Sequence, residues 1–311
     1  MKQKNYFVGT VMLLIAAFIW GTTFVAQSSA MSDVGPFTFT AFRSVVGGAA
    51  LAVFYFLSQR KTCFVPFKKE NIKNTLQGGI VCGVVLFIST NLQQIGLVNA
   101  SPGKAGFITS LYIIIVPLIS IFLGKRPGII VIACAGISLV GFYLLNMTDG
   151  QGFGLSIWEI LILICAFTFS LHIISVDKFS ANINAVLLSC IQFWTVGILS
   201  SVFIFMDVVF LGYSLPGIEV MENVWFSVLY AGLFSSGIAY TLQIAGQKRM
   251  PAFAASLLMS LESVFAAVSA WVFSPENAMS SVQVCGCVLI FGAICISQIP
   301  VKNREQKNCH S

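Results

Sequence analysis

Apolar residues in this chain gather into ten long runs, near 8–26, 37–57, 75–97, 102–123, 128–145, 156–175, 185–206, 223–246, 251–273 and 280–299. Each run is continuous, and a helix of about 20 apolar residues crosses the hydrocarbon layer of a bilayer. The pattern predicts an all-α integral membrane protein with ten transmembrane helices. It excludes a membrane barrel, whose strands of about ten residues alternate apolar and polar positions. The connections are short and leave no room for a soluble domain between spans. Lys2, Lys4 and Ser28-Ser29-Ala30 give the first run the flanks of a signal peptide. Its apolar stretch is longer than a signal core, so it is read as a retained helix.

Composition agrees. Apolar residues make up 57% and charged ones 9%, against about 25% charged in soluble domains. The mean hydropathy is +0.91. These values exclude a soluble enzyme, a nucleic-acid-binding module and a disordered scaffold. The net charge of +6 follows the loops. Basic residues (Lys2, Lys4, Arg60 to Lys73, Lys125, Arg126, Lys178, Lys248, Arg249, Lys302 to Lys307) fall on one alternate set. Asp33, Asp149, Asp207, Glu219, Glu222 and Glu276 fall on the other, where Lys104 is the one base. Basic loops stay inside, so both termini are expected in the cytoplasm, and the compact loops suit a bacterial plasma membrane. Cys82, Cys134, Cys165, Cys190, Cys285, Cys287 and Cys295 lie in apolar runs, and Cys63 and Cys309 lie in basic segments. No CxxC pair occurs, so neither a disulfide framework nor a metal or cofactor site is expected.

The two halves of the chain align at a shift of 149 residues: Ala17-Phe18 on Ala166-Phe167, Trp20 on Phe169, Arg43 on Gln192, Gly48 on Gly197, Gln94-Ile95 on Gln243-Ile244, Pro102 on Pro251 and Ala105 on Ala254. The repeats are placed at 8–145 and 151–299. Each has five spans, and an odd number requires the second repeat to be inverted in the membrane relative to the first. Inverted repeats underlie many secondary transporters, whose sites lie near the midplane between halves.

Gln93-Gln94-Ile95-Gly96-Leu97 leads into Ala100-Ser101-Pro102-Gly103-Lys104-Ala105-Gly106-Phe107-Ile108-Thr109-Ser110-Leu111-Tyr112, followed by Pro117. The second half runs from Gln243 through Pro251-Ala252 to Leu261-Glu262-Ser263-Val264-Phe265. In these features the chain resembles the EamA-domain family of the drug/metabolite transporter superfamily over nearly its whole length. The family often carries Glu-Pro in the ninth span; Ser263 stands in the place of that proline, so no proline kink is expected there. The resemblance implies ten helices around a central cavity and movement of small metabolites, amino acids or drugs, often outward.

Charged and polar residues inside the hydrocarbon normally face a cavity or a partner. Glu262 is the deepest acid, roughly 16 Å into the ninth span at 1.5 Å per residue, and reads as a proton- or cation-responsive group or as a packing acid. Arg43 could attract an anionic substrate, pair with Glu262 or snorkel outward. Ser101 and Pro102 mark a helix start, where Lys104 does not help the dipole; it could contact a substrate carboxylate or reach water. Trp20, Tyr112 and Tyr240 could stack on a substrate or simply pack. Asn91, Gln93, Gln94, Gln192 and Gln243 offer neutral hydrogen bonds to a substrate or between helices. His172 is expected at the membrane interface, and Glu159 is expected to cap its helix or face headgroups. Gly79 and Gly83 form a GxxxG pair, and Asn146-Met147-Thr148 is read as a chance sequon.

The expected function is a secondary transporter working by alternating access. Its partners are a small-molecule substrate and the lipid bilayer, with no nucleic acid; a homodimer stays open. No P-loop occurs, since Gly103-Lys104-Ala105 and Gly124-Lys125-Arg126 lack its upstream glycine and its Ser/Thr. An intramembrane enzyme is the rival reading, yet HExxH, GxSxG and a second deep acid are absent. A non-transporting receptor or scaffold would call for a large loop or added domain, and a channel for a filter sequence.

Overall fold

Hydrocarbon offers no partner to a backbone N–H, so each apolar run must satisfy its own groups, which a helix does. The computed structural model describes residues 2–60, 72–125, 127–146, 156–214, 217–273 and 280–297, and every regular element among them is helical. The first half holds α1 (Lys2–Ala30), α2 (Pro36–Arg60), α3 (Ile72–Gly96), α4 (Pro102–Thr109), α5 (Tyr112–Phe122) and α6 (Ile129–Asn146). The second holds α7 (Ile157–Phe179), α8 (Ala185–Val202), the short α9 (Ile204–Val209), α10 (Ile218–Tyr230), a π segment (Ala231–Ala239), α11 (Tyr240–Gln247), α12 (Ala252–Met259), α13 (Glu262–Phe273) and α14 (Ser281–Ser297).

Among the described residues, eight helical stretches are long and apolar enough to cross a membrane, and Ile129–Leu144 and Ser281–Ser297 are shorter apolar helices. The protein is a multi-pass membrane protein. Its outer surface is apolar: Phe122 is 89% exposed, and Phe56, Ile129 and Phe226 are exposed too. Its interior carries Arg43, Asn91, Gln94, His172, Gln192 and Glu262, all buried. Apolar exposure on this scale marks a lipid-facing surface. Cys63, Cys309, Met147-Thr148 of the sequon, Asp149, Glu276, Arg126, Lys302, Arg304, Lys307 and the bases Lys61, Lys68 and Lys69 lie outside the described residues.

The structure revises several expected spans. The fourth and ninth are each broken, at Ser110-Leu111 and at Ser260-Leu261, with no proline at either break. At both points the backbone tightens to three-residue bonds: Leu111 N–H donates to the Ile108 carbonyl (3.2 Å) and Leu261 N–H to that of Leu258 (3.3 Å). In the second break, Ser260 and Ser263 hydroxyls also donate to carbonyls three residues back, at 2.8 and 2.9 Å. Such back-bonding favours bending and accompanies the second break, whereas the Ser110 hydroxyl at the first has no partner among the described residues. The seventh span ends at Val202 rather than 206, and the eighth starts at Ile218 and passes through the π segment. The 149-residue register also slips by one after Gln243. Pro102 is the first residue of α4, whereas Pro251 is the N-cap of α12, so Ala105 corresponds to Ala255 rather than Ala254.

Helix packing pairs the halves. α2 lies on α8, α6 on α14, α3 on α7 and α8, and α1 on α13 and on the α10–π–α11 stretch. Gly79 and Gly83 allow the α3–α8 approach: a Cβ on Gly79 would stand 2.5 Å from Ile191 Cγ2, and one on Gly83 would stand 2.6 Å from Thr195 Cβ. A clasp joins the start of α2 to α9. Asp207 Oδ1 accepts from Phe37 N–H (3.1 Å), and its Oδ2 accepts from Thr38 N–H (2.8 Å) and the Thr38 hydroxyl (2.7 Å). The carboxylate thus caps α2 from a distant segment, satisfying donors that a helix start leaves open. Tyr213 Oη adds a bond to the Met31 carbonyl at 2.8 Å, and a Cβ on Gly35 would overlap Asp207.

Candidate functional site

The two helix breaks face each other in the centre of the bundle. Each break ends one helix and starts another, so the first residues of α5 and α13, Tyr112 and Glu262, reach inward. Tyr112 Oη donates to Glu262 Oε1 at 3.0 Å. Beside this pair lies a cavity of about 470 Å³ including its mouth, lined by Trp20, Phe24, Gln27, Arg43, Gln93, Thr109, Tyr112, Phe169, Ile173, Ser235, Tyr240, Gln243, Met259 and Glu262. Five of the fourteen lining residues are aromatic, and Tyr240 packs edge-on against Trp20 (4.9 Å between centroids) and Phe193 (5.1 Å).

Much of the lining comes in corresponding pairs. Trp20 and Phe169, and Phe24 and Ile173, are 149 residues apart; Thr109 and Met259, and Tyr112 and Glu262, are 150 apart. The two halves therefore contribute matching positions to one space.

Seven of the sequence-derived candidates line this cavity: Glu262, Arg43, Tyr112, Tyr240, Trp20, Gln93 and Gln243. Glu262 is 5% and Arg43 3% exposed. Arg43 neither snorkels nor pairs with Glu262; its Nη1 donates to Gln27 Oε1 at 2.7 Å. Gln243 Nε2 donates to Gln247 Oε1 (3.0 Å), and Gln247 Nε2 to the Ile173 carbonyl (3.1 Å).

Four candidates are not brought to the cavity. Gln94 Nε2 donates to the Gln27 carbonyl at 3.4 Å, one layer behind the wall. Asn91 bonds to Ser200 Oγ at 3.0 Å, and Gln192 to His172 Nε2 at 3.3 Å, both holding helices together. Lys104 forms an ion pair with Glu159 at 3.4 Å, while Glu159 completes a capping box with Ser156 at the start of α7. Lys104 thus has an acidic partner close by, which explains a base in an acidic loop. His172 does not face headgroups: it is 0% exposed, and its ring meets Gln192 from α8 inside the bundle.

The sequence did not single out Gln27, Thr109, Ser235, Phe24, Phe169, Ile173 or Met259 as lining. Phe169 and Ile173 were accessible through the repeat, as the partners of Trp20 and Phe24. Ser235 was not, since it depends on the π segment; such segments gather at functional sites.

Comparison with known proteins adds the family. The model of the EamA-like transporter family matches twice, over residues 7–147 and 156–298. The chain belongs to the EamA-like transporter family. As an EamA-like transporter it is 29% identical over 296 residues to an uncharacterized transporter of Archaeoglobus fulgidus, covering 93% of this chain and 85% of the relative. It is 21% identical over 301 residues to the uncharacterized transporter YoaV of Bacillus subtilis, covering 94% and 97%. A protein of solved crystal structure, 23% identical, superposes with a TM-score of 0.71 over 93% of this EamA-like transporter and 96% of the other chain, and so shares its fold.

Proposed function

We propose that the protein is a secondary carrier of small organic solutes, built from ten membrane helices in two inverted five-helix repeats and working by alternating access about the central cavity. The observation that carries this reading is the paired lining: Trp20 with Phe169, Phe24 with Ile173, Thr109 with Met259 and Tyr112 with Glu262. A cavity shared by equivalent positions of two halves can be exposed to either side by rocking one half on the other. The packing supports the same symmetry. Exchange of halves carries the α3–α7 contact onto that of the α10–π–α11 stretch with α1, and maps α2–α8 and α6–α14 onto themselves. The charge pattern supports cytoplasmic termini, a cell membrane and, with compact loops, a bacterial one. Export of metabolites, amino acids or drugs follows from the family resemblance. Glu262, Arg43, Tyr112, Trp20 and Gln243 form the working set. Asn91, Gln94 and Gln192 support it, and Lys104 stands outside it, paired with Glu159.

The test has two parts. Metabolite profiles of cells with and without the gene identify a solute, and counterflow of that solute into proteoliposomes distinguishes a carrier from a channel or a silent scaffold. Solute that emerges chemically altered would instead favour an intramembrane enzyme. Accessibility labelling that places the two termini on opposite sides would overturn the inverted repeat.

A further inference from the structure

Two residues of opposite kind line the cavity, Arg43 and Glu262, and they differ in one physical respect. A carboxyl can take up a proton and become neutral, whereas a guanidinium remains charged under all ordinary conditions. Arg43 is therefore the one lining group obliged to keep its charge out of water. A buried ion is costly, by several kcal/mol, unless countercharge and hydrogen bonds compensate.

Compensation within the protein is thin. Nη1 has the neutral acceptor Gln27 Oε1 at 2.7 Å. The Phe39 ring lies 5.8 Å from Cζ, a weak attraction. Nε is buried with no partner in the protein. Among the described residues no acid forms a salt bridge with Arg43, and Glu262 Oε1 accepts from the Tyr112 hydroxyl instead. Trp20, which shares the lining, has a second buried N–H without an acceptor. Among the buried unpaired groups of the lining, these two donors stand against one acceptor, Gln243 Oε1. The corresponding position in the other half, Gln192, is neutral and bonded to His172, so the cavity has one such end, not two.

We infer that Arg43 is the seat for the anionic group of the substrate, and that the cavity takes organic monoanions: a carboxylate on the guanidinium, with a flat apolar body against Trp20, Phe24, Phe169 and Tyr240. A carboxylate matches the guanidinium fork with two parallel, charge-assisted bonds, and aromatic walls favour a flat apolar body. The arrangement demands an anion and makes no matching demand for a cation. This assignment rests on the cavity being the carrier's substrate site.

Four probes of one shape and different charge test it: benzoate, benzamide, benzylammonium and L-phenylalanine. Binding to the purified full-length protein in lipid nanodiscs is read by calorimetry. Benzoate is expected to bind at least about tenfold more tightly than the other three, the gain of a charge-assisted contact. Arg43→Gln is expected to erase that preference and Arg43→Lys to keep part of it. Equal or tighter binding of benzamide, benzylammonium or L-phenylalanine overturns the inference. So does an intact benzoate preference in Arg43→Gln, or no binding of benzoate to folded wild-type protein. Should Arg43→Gln fail to fold, the ranking of the four probes on the wild type decides. Counterflow separates the two readings. A carrier of neutral or cationic solutes keeps the transport function and sinks the anion seat; Arg43-dependent benzoate binding without counterflow does the reverse.

Discussion

Tyr112 donates its phenolic proton to Glu262 at 3.0 Å across the centre of the bundle, and each residue opens the second segment of its own broken helix. Equivalent positions of two repeats thus meet each other. If Glu262 couples protons to transport, Glu262→Gln will fold but lose dependence on a pH gradient, while transport down a solute gradient persists. Tyr112→Phe removes a hydrogen bond worth about 0.5–1.5 kcal/mol, and should slow gradient-driven uptake about twofold to tenfold. Flux measurements in vesicles with imposed gradients check both; unchanged gradient dependence in Glu262→Gln rejects a coupling role.

Burial raises the Asp207 carboxyl above its ordinary value, while the bonds from Thr38 and Phe37 oppose that rise in part. The folded protein therefore takes up this proton at a higher pH than the unfolded chain. Between the two values the native state binds more protons, so stability from this group increases as pH falls and is lost as pH rises through the folded value. Asp207→Asn does not titrate. The stability advantage of wild type over Asp207→Asn should widen on acidification from neutral pH toward the ordinary carboxyl range. Thermal unfolding in detergent across that range measures it, and a gap that narrows would contradict the raised value.

A methyl group separates two classes of glycine. Gly83→Ala places a Cβ 2.6 Å from Thr195 Cβ at the α3–α8 contact and should cost about 1–3 kcal/mol, as overpacking does. On α6, a Cβ at Gly136 would meet nothing within 4 Å, so Gly136→Ala should be neutral or stabilise by up to about 1 kcal/mol. Melting temperatures of the two variants in one detergent would show the contrast; similar shifts would mean that the α3–α8 contact is loose enough to admit a methyl group.

The Lys104–Glu159 pair is partly exposed, and such pairs contribute about 0–1 kcal/mol. Lys104→Ala and Glu159→Gln should therefore change stability little, and a double-mutant cycle should give a small coupling. Transport by Lys104→Ala should stay near wild type. A loss of more than about tenfold, with the protein folded, would return Lys104 to the substrate path.

Several features were legible from residue order alone. Run length marked the helices, because hydrocarbon forces every backbone group to bond within its own segment. A shared shift between halves marked the repeat, and depth in an apolar run marked Arg43 and Glu262, because a charge there needs a cavity or a partner. The helix breaks were not legible. Ser110 and Ser260 are common in unbroken helices, and only the bonds formed around them distinguish these two. The one-residue slip near Pro251 was masked by the Pro102–Pro251 and Ala105–Ala254 matches, although a shift of 150 sets Ser110-Leu111 on Ser260-Leu261.

Membrane residence, the count of apolar runs and the chemistry of the buried charges were set by the sequence alone, through the transfer cost of each side chain. Which of those polar groups share a cavity was decided by the tertiary structure. Trp20, Arg43, Tyr112, Gln243 and Glu262 converge there, whereas Lys104, Asn91, Gln94 and Gln192 find partners elsewhere. The physical reason is that depth in the bilayer is a property of position along one helix, while facing a common space depends on how neighbouring helices rotate, break and approach.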